Sequence, residues 1–411
     1  MLRWIVFLFI FAIIDIYAFQ AFKTVTKNNW LFLVYWLITV LVIGNFINNY
    51  YGFDRSKGFT HANAYAAGFF IALLVPKLVL VVGMFAEDVF RLPLALYRYI
   101  TEGSAAKGPY LPSRRQFISQ IALGIAAIPL ASVIYGIYKG RYNFKVLNYT
   151  LHFEDLPAAF DGYRITQISD IHSGSFDDVE KVSYAINLIN EQQSDVILFT
   201  GDMVNNKAEE LLPYMHIFDK LKAKDGKFSI LGNHDYGDYV TWESEEAKHQ
   251  NLESLKALEK KLGFDLLLNE SRFIEKNGER IALIGVENWG IGGFKQAGDL
   301  KLAASKIEKN DFKILMSHDP THWEKQVLKD DYHYHLTLSG HTHGMQFGIE
   351  IPGWIKWSPI KWRYRYWAGI YNVMGEYINV NRGFGYLAFP GRVGIWPEIT
   401  VIELKKGKAT V

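Results

Sequence analysis

Four apolar stretches crowd the first third of this 411-residue chain: Leu2 to Phe22, Trp30 to Ile47, Ala64 to Phe85 and Phe117 to Tyr138. Each approaches the roughly 20 residues that a helix needs to cross the hydrocarbon core of a bilayer. A chain with four such segments is not a wholly soluble protein. Charge follows the same division, with 12 basic and 5 acidic residues up to Gly140 and 32 basic and 37 acidic residues in the 271 that follow. The expected organisation is a membrane region over residues 1–140 and a water-soluble domain over 141–411. The chain has no cysteine, which excludes a disulfide scaffold and every thiolate metal site. The acidic balance of the second part argues against a nucleic-acid partner, since phosphate neutralisation needs a basic surface.

Basic residues set the orientation of membrane helices. Lys23 and Lys27 follow the first span, and Arg91, Arg98, Lys107, Arg114 and Arg115 lie between the third and fourth. Both connections are therefore expected in the cytoplasm, which puts residues after Gly140 on the outer face of the membrane. Arg55 and Lys57 weigh mildly against this. Ser113-Arg114-Arg115-Gln116-Phe117-Ile118, ahead of a weakly apolar stretch, resembles a twin-arginine export signal, with Ser119 where a lysine is common. The plainer reading is a pair of arginines obeying the positive-inside rule. Asp15 and Lys77 are isolated ionisable residues within spans, either a polar intramembrane site or side chains that snorkel or face a neighbouring helix.

Beyond Tyr142, short β-rich runs alternate with amphipathic helices. Strands are expected at Arg164 to Ser169, Val196 to Thr200, Phe228 to Leu231, Arg280 to Val286, Lys313 to Met316, Leu336 to Leu338, Tyr377 to Val380 and Ile399 to Leu404. Helices are expected through Val179, Val182, Ile186 and Ile189, near Glu209 to Lys222, and from Glu245 to Leu262. This alternation gives a layered α/β core.

Metal-ligating residue types gather where strands stop. Asp170 and His172 follow the first strand, Asp202 the second, Asn233, His234 and Asp235 the third, and His318 and the His341/His343 pair follow two later strands. If extended, Asp170 and His172, or His341 and His343, point to one side of the chain. Glycines before Asp202, Asn233 and His341 permit tight turns. Oxygen and imidazole donors suit manganese, iron or zinc rather than copper(I) or an iron–sulfur cluster.

In order, Ser-Asp-Ile-His, Thr-Gly-Asp, Leu-Gly-Asn-His-Asp, Met-Ser-His-Asp-Pro and Ser-Gly-His-Thr-His-Gly resemble the signature of the calcineurin-like metallophosphoesterase superfamily. The likeness runs from about Asn143 to Leu404. Leu156-Pro157, Gly162, Asn381-Arg382-Gly383-Phe384-Gly385 and Trp396-Pro397-Glu398-Ile399 resemble its bacterial membrane-associated, twin-arginine-exported branch. Asn205 departs from the aspartate that many members carry there. The resemblance implies a four-layer α/β/β/α sandwich and two transition-metal ions, manganese, iron or zinc. Asp170, His172 and His343 would hold one ion, Asn233, His318 and His341 the other, with Asp202 bridging. It further implies that His234 contacts the phosphate and protonates the leaving oxygen, and that Asp235 orients it.

The expected function is a membrane-anchored phosphoesterase acting on an envelope or lipid-linked phosphate ester. One alternative is a pyrophosphatase cleaving UDP-2,3-diacylglucosamine, a cytoplasmic substrate that the outward topology opposes. A non-catalytic scaffold with the same fold is the alternative from another class, and the complete ligand set opposes it. The run from Trp354 to Trp367, with Lys356, Lys361, Arg363 and Arg365 among aromatic residues and no acid, reads either as a surface that docks into anionic headgroups or as an insertion packed on the domain.

Overall fold

The computed structural model describes residues 2–102, 112–351 and 353–408, so Lys107 of the basic connection lies outside the described residues. The chain divides into two compact units, Met1–Phe53 with Ala62–Tyr135, and Asp54–His61 with Gly136–Val411. The first is built from α1 (Leu2–Val25), α2 (Asn29–Tyr50), α3 (His61–Glu102) and α4 (Pro112–Tyr138). All four are long and apolar enough to cross a membrane, and only 11–22% of each apolar window is buried within the protein, leaving the rest for lipid.

Asp15 and Lys77 neither snorkel nor stand alone. The Lys77 ammonium donates to the Asp15 carboxylate and to Thr39 Oγ1 (2.7 Å), and the Tyr35 hydroxyl donates to Asp15 Oδ1 (2.5 Å), joining α1, α2 and α3. Removing one member of a buried ion pair strands the other charge, at a cost of about 3–5 kcal/mol. Lys77→Met should destabilise the helical unit by that order, and Asp15→Leu on the same chain should restore most of the loss. Unfolding in detergent reads both; equal stability of wild type and Lys77→Met contradicts it. A second network includes Arg115 of the arginine pair, which contacts Glu87 (3.0 Å) and Asp88 (2.6 Å), while the Tyr17 hydroxyl donates to Asp88 (2.6 Å). Arg115 thus links α4 to α3 whatever its part in export.

The second unit contains β1 (Lys145–Phe153), β2 (Arg164–Ile168), α5 (Val179–Glu191), β3 (Val196–Phe199), α6 (Met215–Phe218), β4 (Lys227–Ser229), α7 (Glu245–Lys261) and β5 (Phe264–Leu266). There follow β6 (Glu270–Lys276), β7 (Glu279–Gly285), α8 (Leu300–Ala303), β8 (Lys313–Met316), α9 (Pro320–Lys325) and β9 (Leu336–Ser339). The last strands are β10 (Ile349–Ile351), β11 (Ile355–Trp357), β12 (Gly369–Val373), β13 (Glu376–Val380) and β14 (Glu398–Lys406). One six-stranded sheet has the order β1-β14-β2-β3-β4-β5, the other β12-β13-β9-β8-β7-β6, and β10-β11 is a separate hairpin.

Strands β3, β8 and β9 are buried at every residue because each lies in the parallel interior of a sheet covered on both faces. Leu198, Ile230, Leu283, Ile314, Leu338 and Ile402 belong to the core between the sheets. Val182, Ile186 and Ile189 of α5 pack with Phe199 outside the first sheet, and Trp323 of α9 packs with Ile284 and Leu315 outside the second. The result is the expected α/β/β/α layering. One expected helix is corrected: Glu209 to Lys222 is a 3-10 stretch, Ala208–Tyr214, followed by the single turn of α6. Pro213 removes a helical N–H in the middle of that segment.

Candidate dinuclear metal centre

All nine expected site residues gather at the ends of β2, β3, β4, β8 and β9. The ligand atoms of Asp170, His172 and His343 lie within 4.8 Å of one another, as do those of Asp202, His318 and His341. Asp202 Oδ2 stands between the groups, 3.5 Å from His172 Nε2 and 3.2 Å from His318 Nε2. Asn233 joins the second group, its Oδ1 2.8 Å from His341 Nδ1.

The expectation that Asp-x-His and His-x-His converge through extended backbone is overturned. Asp170, His172, Asp202, His341 and His343 all have positive φ, between 49° and 72°. Left-handed turns, costly for residues with a Cβ, aim these side chains inward, and such strain persists where the surroundings fix it. Of the glycines before the ligands, Gly201 takes a left-handed turn (φ 95°), whereas Gly232 and Gly340 serve close approach. A Cβ at Gly232 would lie 2.2 Å from Asp202 Oδ1, and one at Gly340 the same distance from Asp170 Oδ2.

Hydrogen bonds behind the ligands hold their rings, and for His318 one of them selects the donor atom. His318 Nδ1 lies 2.7 Å from the Thr200 carbonyl, which can only accept, so Nδ1 carries the proton. Nε2 is then the donor atom, and it is buried without a hydrogen-bond partner among the described residues. His341 is held between Asn233 Oδ1 at Nδ1 and the Tyr364 hydroxyl (2.8 Å) at Nε2. His172 Nε2 and His343 Nε2 face each other at 3.0 Å, with Asp170 Oδ1 3.2 Å from His343 Nε2. Two imidazole nitrogens and a carboxylate converging in a buried site, with an orphaned nitrogen nearby, fit cations better than they fit one another. Behind His343, the buried Arg392 guanidinium donates to the carbonyls of Gly385 (2.9 Å) and Gly383 (3.1 Å) and lies 3.3 Å from Nδ1.

His234 Nδ1 lies 2.8 Å from the Asn205 carbonyl, leaving its Nε2 for the cavity. The residue that departs from the family pattern thus serves through its backbone. Asp235 does not orient His234. Its carboxylate instead accepts from the backbone N–H groups of Asp202, Gly232 and Met203, each at 2.8 Å, and so builds the loop that presents Asp202. Burial and the Asp202 charge push Asp235 up to about 7 against the Gly232 and Asp202 N–H groups. Tyr364, Tyr239 (2.7 Å from Asn233 Nδ2), Asp319 (3.4 Å from His341 Nε2) and Arg392 escaped the sequence reading. Tyr364 carried a signal inside the aromatic and basic run, and Asp319 as the residue after His318 in Met-Ser-His-Asp-Pro.

Burial alone would strip the His318 proton, but Asp202 and Asp170 outweigh it and hold His318 up at about 10. In metal-free protein a cation must therefore displace that proton, and affinity at this site should rise with pH from 6 to 9, by up to about tenfold per unit. Chelator competition measures this; an affinity flat over that window contradicts it.

Over the ligands opens a cavity of about 240 Å³, bounded by Asp202, His234, Phe294, His341, Arg363 and Tyr364. The run between Trp354 and Trp367 forms part of its wall and is not one continuous surface. Ser358, Tyr364, Tyr366 and Trp367 are buried, whereas Trp354 and Trp362 are 77% and 76% exposed.

The family described as the transmembrane domain of probable calcineurin-like phosphoesterases matches residues 2–141. The calcineurin-like phosphoesterase family matches residues 163–345. The metallophosphoesterase YkuE of Bacillus subtilis is 31% identical over 302 residues, which cover 71% of this chain and 98% of that protein. The phosphodiesterase YaeI of Escherichia coli is 29% identical, over 71% of this chain and 99% of its own. A transmembrane protein with a metallophosphoesterase domain from Danio rerio is 27% identical, over 70% of this chain and 62% of its own length. The chain belongs to the calcineurin-like metallophosphoesterases, phosphoric ester hydrolases, and joins that domain to an N-terminal transmembrane region.

Proposed function

We propose that residues 141–411 form a dinuclear phosphoesterase held on the outer face of a bacterial cytoplasmic membrane by residues 1–140, and that it cleaves an envelope or lipid-linked phosphate ester. The observation that carries the reading is the pair of ligand groups sharing Asp202 between them. Asp170, His172 and His343 would hold one ion, Asn233, His318 and His341 the other, and Asp202 would serve both. Manganese, iron or zinc ions bound there supply Lewis acidity, polarising the phosphoryl oxygens and lowering the pKa of the attacking water. His234, its Nδ1 held by the Asn205 carbonyl, turns Nε2 toward the phosphoryl group and hands its proton to the leaving oxygen. Burial lowers the His234 pKa, so the proton is best held once the anionic ester lies alongside.

Supporting an even number of spans, Asp54–His61 belongs to the same compact unit as the hydrolase domain, with the Thr241 N–H donating to the Arg55 carbonyl (3.2 Å). Four spans put the α2–α3 connection and the domain on one side, opposite the connections rich in lysine and arginine. Manganese-loaded full-length protein in detergent should hydrolyse bis(p-nitrophenyl) phosphate or p-nitrophenyl phosphate, lose activity to chelator and regain it with metal. Metal-replete protein inert toward both ester classes would favour the scaffold. Protease cleavage near Lys406 in intact spheroplasts tests the side.

A further inference from the structure

Beside the metal cavity lies a larger one, about 660 Å³, whose walls come from the α9 region and from the segment Lys356 to Tyr371. The two cavities share Arg363 and Tyr364. Tyr364 is 5% exposed and bonded to His341, so the wall between them is fixed to a candidate ligand. Five basic residues line the larger cavity, Lys325, Lys356, Lys361, Arg363 and Arg365, against one acid, Glu324. Lys325 is paired with Glu324 at 2.8 Å, and the Lys356 ammonium donates to the Ala368 carbonyl. Among the described residues, Lys361, Arg363 and Arg365 have no carboxylate partner. The Arg363 guanidinium stacks 5.2 Å from the Phe294 ring and 5.4 Å from that of Tyr364, and Arg365 lies 5.3 Å from the Tyr366 ring. These cation–π contacts hold the two guanidinium groups at the cavity wall, where N–H groups not turned to the rings can serve a bidentate acceptor.

An ordinary solvated basic face would be convex, mobile and remote from the chemistry. This one is concave, set largely on buried aromatics and adjoins the metal cavity through Arg363 and Tyr364, where unpaired positive charge focuses on an anionic ligand. We infer that Lys361, Arg363 and Arg365 form a second anion subsite, and that the substrate carries, besides its scissile phosphate, another phosphate or carboxylate received there. The inference deepens the phosphoesterase reading and rests on it. A bisphosphate, a diphosphate or a phosphodiester with an acidic headgroup has this chemistry, in solution or in lipid. The exposed Trp362, next to Lys361 and Arg363 in the chain, suits the headgroup region of a bilayer.

Calorimetry on the metal-loaded full-length protein in phosphatidylcholine nanodiscs tests it with two matched pairs of different spacing. These are thymidine 3′,5′-bisphosphate against thymidine 5′-monophosphate, and fructose 1,6-bisphosphate against fructose 6-phosphate. At least one bisphosphate should bind about tenfold more tightly than its monophosphate, and Lys361→Gln with Arg365→Gln should erase that advantage. No advantage in either pair, or an advantage that survives both substitutions, overturns the subsite. Loss of the advantage when phosphatidylglycerol is added to the nanodiscs assigns the pocket to a lipid headgroup; an advantage kept in both assigns it to a soluble anion. Because binding is read directly, a protein that shows the advantage yet hydrolyses no ester would overturn the hydrolytic reading and not the pocket.

Discussion

Asp202→Ala should leave a folded protein that retains little of either metal ion and loses more than about 100-fold in turnover, a bound set by the 10–100-fold cost of disturbing groups merely behind a ligand. The Asp202 carboxylate approaches an imidazole of each group, 3.5 Å from His172 Nε2 and 3.2 Å from His318 Nε2. It also accepts from the His234 backbone N–H at 2.8 Å, so the loop bearing His234 loses an anchor. Asn233→Ala, by contrast, touches only the group containing His341 and should cost one ion. Metal content and turnover of the two variants, measured side by side, distinguish a shared ligand from two independent sites. Loss of a single ion in Asp202→Ala would remove the bridging role.

His234→Ala should keep its metal and still lose roughly 10² to 10⁴-fold in turnover, the range for a positioned general acid. The separation is expected because His234 is not among the residues of either metal-holding group, and its ring nitrogen is held by the Asn205 carbonyl. The loss should be smaller for p-nitrophenyl esters than for alkyl esters, since a good leaving group needs no proton. An equal loss for both would leave His234 a phosphate contact without acid chemistry. Metal loss in the same variant would mark it as part of the ligand scaffold.

The candidate ligands could be read from sequence because each sits in a short motif at a strand end, and the order of motifs follows the order of β2, β3, β4, β8 and β9. How they converge could not. Alternation suggested extended pairs, whereas Asp170, His172, His341 and His343 are left-handed, a conformation imposed by packing rather than by local preference. The partners of the candidate ligands were also hidden, for they come from distant parts of the chain: Thr200, which fixes the donor atom of His318, Tyr364 beside His341 and Arg392 behind His343. Asp235 misled because the family resemblance implied that it orients His234, yet its carboxylate turns toward the backbone of the Asp202 loop. In the helical unit, composition located α1 to α4, but the pairing of Asp15 with Lys77 depends on how three helices meet.

Elemental analysis of the full-length protein, purified without chelator and loaded in turn with manganese, iron or zinc, tests the dinuclear centre most directly. Two ions per chain is the expected result, falling toward none in Asp202→Ala and toward one in Asn233→Ala. A reproducible stoichiometry near zero after loading with each metal would contradict the metal centre itself.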